Sequence, residues 1–114
     1  MYDHKKDIEW LKSKGFYQTL RGNEKQTTWR WAIDPCVFYI NVVVPNDPAL
    51  GCYSVISIGA YPENLLQREE RSTAEESVTT IVEEVKEKEW MLEGVSNGIK
   101  KAMFSTFLIK RSFK

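Results

Sequence analysis

The chain has 114 residues, and its 16 basic and 16 acidic side chains give a formal net charge of zero at pH 7. This length suits one domain and is too short for two, so we expect a single domain over residues 1–114. The neutral total argues against wholesale attraction to nucleic acid, and no apolar run approaches the roughly 18–20 residues that span a bilayer.

The N-terminal segment predicts a short helix over residues 3–14. Ile8 and Leu11 fall on one side of this segment with Trp10 nearby, and Gly15 follows as a typical helix stop. The charged start lacks the apolar stretch and the small-residue cleavage site of a secretion signal. We therefore expect a cytoplasmic protein that is not inserted in a membrane.

Four strand-like segments follow the helix. The first alternates weakly, and the other three are rich in β-branched and aromatic residues, which suit a pleated sheet. Clusters of Gly, Asn, Asp and Pro separate the segments and are typical of turns. This order predicts a four-stranded antiparallel meander with strands at residues 16–21, 26–33, 36–44 and 52–61.

A long acidic helix is predicted after the sheet. Ser72 and Thr73 are each followed three residues later by a glutamate, which is the spacing of a capping box at a helix start. The helix should end at Gly94, and residues 63–93 carry a net charge of −6. Apolar residues at helical spacing give it one core-facing stripe, formed by Val78, Ile81, Val82, Val85 and then Trp90 or Leu92.

The C-terminal segment, residues 99–109, suits a second helix that packs on the same sheet face as the acidic helix. A short apolar run of this kind is ambiguous, so an edge strand is the alternative. The segment belongs to a basic end, because residues 94–114 carry a net charge of +5. Together these elements predict an α+β fold.

Alternation along the strands separates two faces of the meander, a core face under the helices and an outer face on the other side. Counting from the turn signals places Val55 opposite Ile40, and this register assigns the strand residues to the faces. The expected core face consists of Phe16, Leu20, Trp29, Trp31, Ile33, Phe38, Ile40, Val42 and Val55.

The outer face supports the one functional inference that the sequence allows. A sheet with helices on one side leaves its other side to water, a partner or a ligand. Val43, Ile56 and Ile58 beside Tyr39 would form an exposed apolar patch there, and such a patch indicates contact with a partner. In the alternative, the N-terminal helix or the C-terminal segment covers this face and forms a second small core. The candidate partner-binding residues are Tyr17, Arg21, Arg30, Tyr39, Asn41, Val43, Ile56 and Ile58.

The residues that carry chemistry give little support for a catalytic, metal or cofactor site. The expected register separates Cys36 from Cys52 by about 20 Å, which excludes a disulfide between them. His4 is the only histidine and lies near a terminus, and the glycines do not form a phosphate-binding loop. We expect no metal, no cofactor and no enzyme. A small enzyme with a carboxylate site among the glutamates remains an alternative.

These features predict a small protein-binding module such as an inhibitor, an immunity-like factor or an accessory factor. The outer face and the acidic helix would engage a protein with a basic or mixed surface. A single-stranded nucleic-acid binder is the alternative, in which Tyr17 and Tyr39 stack on bases while Arg21, Arg30 and the C-terminal lysines contact phosphates. A homodimer through the outer face is compatible with either function.

Overall fold

The computed structural model describes residues 4–20, 22–34, 38–47, 50–58 and 66–107, with the backbone alone at residues 34, 58 and 66–71. Three α-helices, five strands and one 3-10 turn lie in these ranges. Their bounds are α1 His4–Ser13, β1 Tyr17–Gln18, β2 Gln26–Asp34, β3 Phe38–Pro45, β4 Cys52–Ile58, β5 Leu66–Ser72, α2 Ala74–Glu87, the 3-10 turn Glu89–Leu92, and α3 Asn97–Phe107.

The strands form one antiparallel sheet in the order β1-β2-β3-β4-β5, so the predicted α+β fold and its meander are confirmed. The sheet has a fifth strand, β5, which the sequence analysis did not predict. Of its seven residues Leu66 is the only apolar one, so the strand shows no alternation of apolar and polar residues. Charged residues are common on edge strands because they discourage pairing with other chains.

Local signals define the end of α1 and the start of α2. Gly15 has a φ of 91° and closes α1, with hydrogen bonds from its N–H to the Lys12 carbonyl and from the Phe16 N–H to the Leu11 carbonyl. Thr73 precedes α2, and its hydroxyl oxygen accepts a hydrogen bond of 3.1 Å from the Glu76 N–H. Both helices therefore begin or end where the sequence analysis placed the signal.

The chain after α2 departs in one respect from the expectation of a continuous helix to Gly94. Helix α2 ends at Glu87, and the 3-10 turn that follows buries Met91 and Leu92 while Trp90 stays 53% exposed. The second predicted helix is confirmed as α3. The edge-strand alternative for this segment is therefore wrong for the residues that the structure describes.

All three helices pack on the core face of the sheet, as predicted. Leu11 of α1, Val82 of α2 and Met103 of α3 belong to one core cluster with Phe38 and Ile40 of β3. Aromatic rings fill the region under β1 and β2, where Trp31 contacts Phe38 and Phe107 edge to face at centroid distances of 6.1 and 5.1 Å. The described elements therefore share a single hydrophobic core.

The register of β4 differs by one residue from the expected one. Ile40 pairs with Ile56, and Val43 pairs with Tyr53, whereas the turn count had placed Val55 opposite Ile40. A shift of one residue moves every side chain of a strand to the other face. Ile56 is therefore fully buried in the core, and Val55 lies on the outer face.

Two further residues of the expected core face are exposed. Leu20 follows the short strand β1 and is 103% exposed, and Ile33 lies beside the irregularity between Trp31 and Asp34 and is 52% exposed. Their expected burial was wrong, because β1 contains only Tyr17 and Gln18 and because the pairing of β2 shifts near its end. Alternation predicts burial only where pairing is regular.

Candidate functional site

A row of paired residues crosses strands β1 to β4 on the outer face of the sheet. The register joins Tyr17 to Arg30, Arg30 to Asn41 and Asn41 to Val55, and the backbone of Val55 pairs with the backbone of β5. Because side chains of directly opposed residues lie on the same face, the row places two of the predicted binding residues beside Arg30. The pairing thus collects residues that are distant in sequence.

Arg30 lies between Tyr17 and Asn41 in this row and is held by two contacts. Its Nε–H donates a hydrogen bond of 2.9 Å to Oδ1 of Asn41. Its guanidinium carbon lies 4.2 Å from the centroid of the Tyr39 ring, which is a cation–π contact. Since one contact is along the edge and the other against the face, the guanidinium group is fixed in position and orientation.

The three tyrosines that the structure describes lie on the outer face. Tyr17 is 48% exposed, and Tyr39 and Tyr53 are half-buried. Between them, Val43 is 8% exposed and pairs with Tyr53 on one side and with Thr28 on the other. The outer face therefore presents tyrosine rings around a floor of smaller side chains that are already largely shielded.

Tyr53 is a candidate residue that the sequence analysis missed, because the one-residue error in the register of β4 placed it on the core face. A signal for the correct assignment was present in the strand itself. One alternating set contains Ile56 and Ile58, and the other contains Tyr53, Val55 and Ser57. The two isoleucines make the first set the more apolar one, and the more apolar set faces the core.

Five of the eight predicted binding residues lie together on the outer face: Tyr17, Arg30, Tyr39, Asn41 and Val43. The expected place of Ile56 on this face is wrong, because it lies in the core opposite Ile40. The backbone of Ile58 pairs with Phe38, a residue of the core face, and Arg21 lies outside the described residues. The expected patch of Val43, Ile56 and Ile58 does not form.

The described helices leave the outer face uncovered. The buried apolar side chains of α1, α2 and α3 belong to the cluster that contains Phe38 and Ile40. Tyr39 and Asn41 alternate with these two residues along β3 and so point to the other side. Within the described ranges, neither the N-terminal helix α1 nor α3 therefore covers the outer face.

The acidic helix lies on the opposite side of the sheet from Arg30. Glu75, Glu76 and Glu87 of α2 are exposed, and the buried stripe of the same helix packs on the core face. The two surfaces that the sequence analysis assigned to one partner therefore point away from each other. A partner that docks flat on the outer face does not reach this helix.

Cys52 is a buried free thiol beneath α1 and α2. Its Sγ–H donates to the carbonyl of Ser72 at 3.3 Å. Burial, and then the charge and hydrogen bond of Asp7, raise the pKa of the Cys52 thiol to about 12. A thiol that stays protonated and buried is a poor nucleophile, so Cys52 is a packing residue. Cys36 lies outside the described residues.

Two further observations concern metal binding and membrane-spanning helices. Among the described residues, no three His, Cys, Asp or Glu side chains cluster as metal ligands would. The longest helix in the same ranges has 14 residues, and none is long and apolar enough to cross a membrane.

Comparisons with protein-family models, with curated proteins and with solved structures gave no match. The residues of the outer face are therefore the basis for proposing a function.

Proposed function

We propose that this protein is a non-enzymatic protein-binding module, an inhibitor, immunity-like factor or accessory factor that docks its partner on the outer face of the sheet. The observation that supports this proposal is a fixed Arg30 beside Tyr17 and Tyr39, with Tyr53 on the same face, which the described helices leave uncovered. Tyrosine and arginine are among the residues that contribute most binding free energy at protein interfaces.

The physical reason is the low cost of ordering these side chains. Tyrosine offers a large contact area with two rotatable side-chain bonds, so little conformational entropy is lost on binding. Arg30 is already held by Asn41 and Tyr39 in the free protein, which removes part of the entropy cost that a mobile arginine has. The cluster is thus prepared for contact before a partner arrives.

The partner is expected to have a basic or mixed surface. The exposed glutamates of α2 attract basic surfaces and increase the rate of encounter, while the outer face makes the contact. Because α2 lies behind the sheet, it acts on the approach of the partner and not as part of a continuous interface. Substitutions in α2 should therefore change the association rate more than the dissociation rate.

Single-stranded nucleic acid is the second candidate, since the same tyrosines present faces on which bases stack. Arg30 is the only cation whose side chain is described among the paired residues of the outer face. Lys100 and Lys101 belong to α3, on the other side of the sheet. Affinity for a phosphate backbone increases with the number of cations that contact it, which favours a protein partner.

The test is affinity capture from the lysate of the source cells with the full chain as bait, compared with two variants. Tyr17→Ala combined with Tyr53→Ala removes two rings of the outer face, and Lys101→Ala combined with Ser105→Ala, at two exposed positions of α3, is the matched control. We expect a partner that wild type and the α3 control retain and that the tyrosine variant loses. Equal recovery by all three baits contradicts docking on the outer face.

A parallel measurement separates the remaining occupants of the face. Fluorescence anisotropy with a labelled single-stranded oligonucleotide should show no saturable binding at low or moderate salt. Binding that weakens steeply as salt increases would support the nucleic-acid candidate instead. Light scattering after size exclusion measures the mass, and a dimer that the tyrosine variant dissociates would identify a second copy of the chain as the occupant.

A further inference from the structure

The guanidinium group of Arg30 has contacts at Nε and on one face and, among the described residues, none at its two terminal nitrogens. Asn41 engages Nε, and Tyr39 lies against one face of the group. Among the described residues, no carboxylate forms an ion pair with Arg30, and neither of its terminal nitrogens donates to a described residue. An arginine fixed in this way, without a described acidic partner, is the arrangement found where proteins recognise an anionic group.

The surroundings of Arg30 limit how a ligand reaches it. Tyr17 is its partner across β1 and β2 and is about half exposed, and Tyr39 lies under the guanidinium plane. Because Nε is used by Asn41, the edge that carries the two terminal nitrogens is the one left for a ligand. That edge presents two parallel N–H groups, which match the two oxygens of a carboxylate.

We infer that Arg30 is a carboxylate-binding residue and that the segment of the partner protein docked on the outer face presents an Asp or Glu side chain to it. Tyr17 and Tyr39 pack against the apolar part of the same segment. This inference rests on the proposed function and specifies the chemistry of the partner. A partner surface that carries both acidic and basic groups is consistent with this inference and with the acidic helix. Its carboxylate binds Arg30, while its basic groups are attracted by α2.

A carboxylate fits the described outer face better than a nucleic-acid phosphate does. A phosphate backbone carries one charge per nucleotide and is bound by several cations in sequence. The described outer face offers one cation, flanked by the neutral side chains of Asn41, Tyr17 and Tyr39. One planar guanidinium is complementary to one planar carboxylate.

The test uses random short peptides displayed on phage and selected against the immobilised full chain. Selected peptides are synthesised as acidic forms and as matched amides, with Asp→Asn or Glu→Gln at each acidic position. Affinities are measured for wild type and for Arg30→Gln, and ¹⁵N spectra with the side-chain Nε–H resonance of Arg30 locate the binding site. Near-ultraviolet circular dichroism verifies that Arg30→Gln keeps the native fold.

We expect one acidic position whose amide form binds wild type about tenfold more weakly, since a charged arginine–carboxylate pair is then lost. The same change should alter the affinity for Arg30→Gln by less than about twofold, which is the signature of a direct pair in a double-mutant cycle. Arg30→Lys should restore the affinity only in part, because lysine lacks the planar fork.

The contradicting outcomes are distinct for the inference and for the proposed function. Peptides that shift outer-face resonances but bind equally well as amides overturn the carboxylate site and leave the protein-binding proposal in place. Failure to select peptides, or selection of peptides that leave the outer-face resonances unchanged, overturns both. A single-stranded oligonucleotide that displaces the peptides, and whose own binding weakens steeply as salt increases, also overturns both and supports the nucleic-acid candidate.

Discussion

Ile40 and Ile56 pair directly across β3 and β4, and both side chains are fully buried at the centre of the core. Helix α2 covers this region with Val78, Ile81 and Val82, which are also fully buried. The pair therefore determines which alternating set of β4 faces the helices. The other set, with Tyr53 and Val55, becomes part of the outer face.

This pairing predicts opposite consequences for two neighbouring substitutions. Ile56→Ala should lower the free energy of unfolding by about 2–5 kcal/mol, because it removes methylene groups from a packed core and leaves a cavity. Val55→Ala, on the outer face, should cost less than about 1 kcal/mol. Urea denaturation followed by far-ultraviolet circular dichroism measures both. A larger loss for Val55→Ala would mean that the faces of β4 are inverted.

The contact between Arg30 and Tyr39 should contribute little to stability and much to binding. Tyr39→Ala and Arg30→Ala are each expected to lower the free energy of unfolding by about 1–2 kcal/mol, since both side chains are half-buried. A cation–π contact contributes about 0.5–1 kcal/mol at exposed sites and about 2 kcal/mol where it is desolvated. Partner binding should weaken in both variants.

A double-mutant cycle on thermal or urea unfolding isolates the coupling between the two side chains, and Tyr39→Phe is the matched control that keeps the ring. Zero coupling would show that the stacking contact is absent in solution. Unfolding of the Tyr39→Ala variant at room temperature would assign the residue to the core instead of the outer face.

Removal of the Thr73 cap should destabilise the start of α2. Thr73→Ala is expected to cost about 1 kcal/mol, because the Glu76 N–H then loses its side-chain acceptor. Ser72→Ala is the matched control, since Ser72 has the same capping-box spacing in the sequence but belongs to β5. Chemical denaturation of the two variants distinguishes them, and an equal loss in both would contradict Thr73 as the single cap.

The protonation of Cys52 should make stability fall at alkaline pH. The pKa of its thiol is 9.0 in the reference state and about 12 in the folded protein. Between these values the unfolded chain has lost the proton and the native state keeps it, so the free energy of unfolding decreases as pH rises. The stabilisation is complete below pH 9 and is lost as pH approaches about 12.

The measurement compares the pH dependence of unfolding in wild type and in Cys52→Ala between pH 9 and 12. The slope of wild type should be steeper by at most about 1.4 kcal/mol per pH unit, the value for one proton. All other ionisable groups are common to the two proteins, so their contributions cancel in the comparison. Parallel slopes, or rapid alkylation of Cys52 in the native protein near neutral pH, would contradict a protonated and buried thiol.

Structural features that depend on residues close together in the sequence, such as the helix ends, were predictable from the sequence. The stop of α1 at Gly15 and the start of α2 after Thr73 depend on hydrogen bonds that span three to five residues, as in the Glu76 N–H bond to Thr73. Helix periodicity likewise identified α3. Strand β5 was missed because Leu66–Ser72 is almost entirely polar, and its place in the sheet depends on β4.

The sequence by itself determined the α+β class, the helix boundaries set by caps, and five residues of the candidate binding cluster, because each follows from local hydrogen bonding or from alternation within one strand. Only the tertiary structure decided the register of β4, which moved Ile56 into the core and brought Tyr53 out beside Val43. Register between strands depends on loop geometry and on packing against α2, and a one-residue difference there exchanges the two faces.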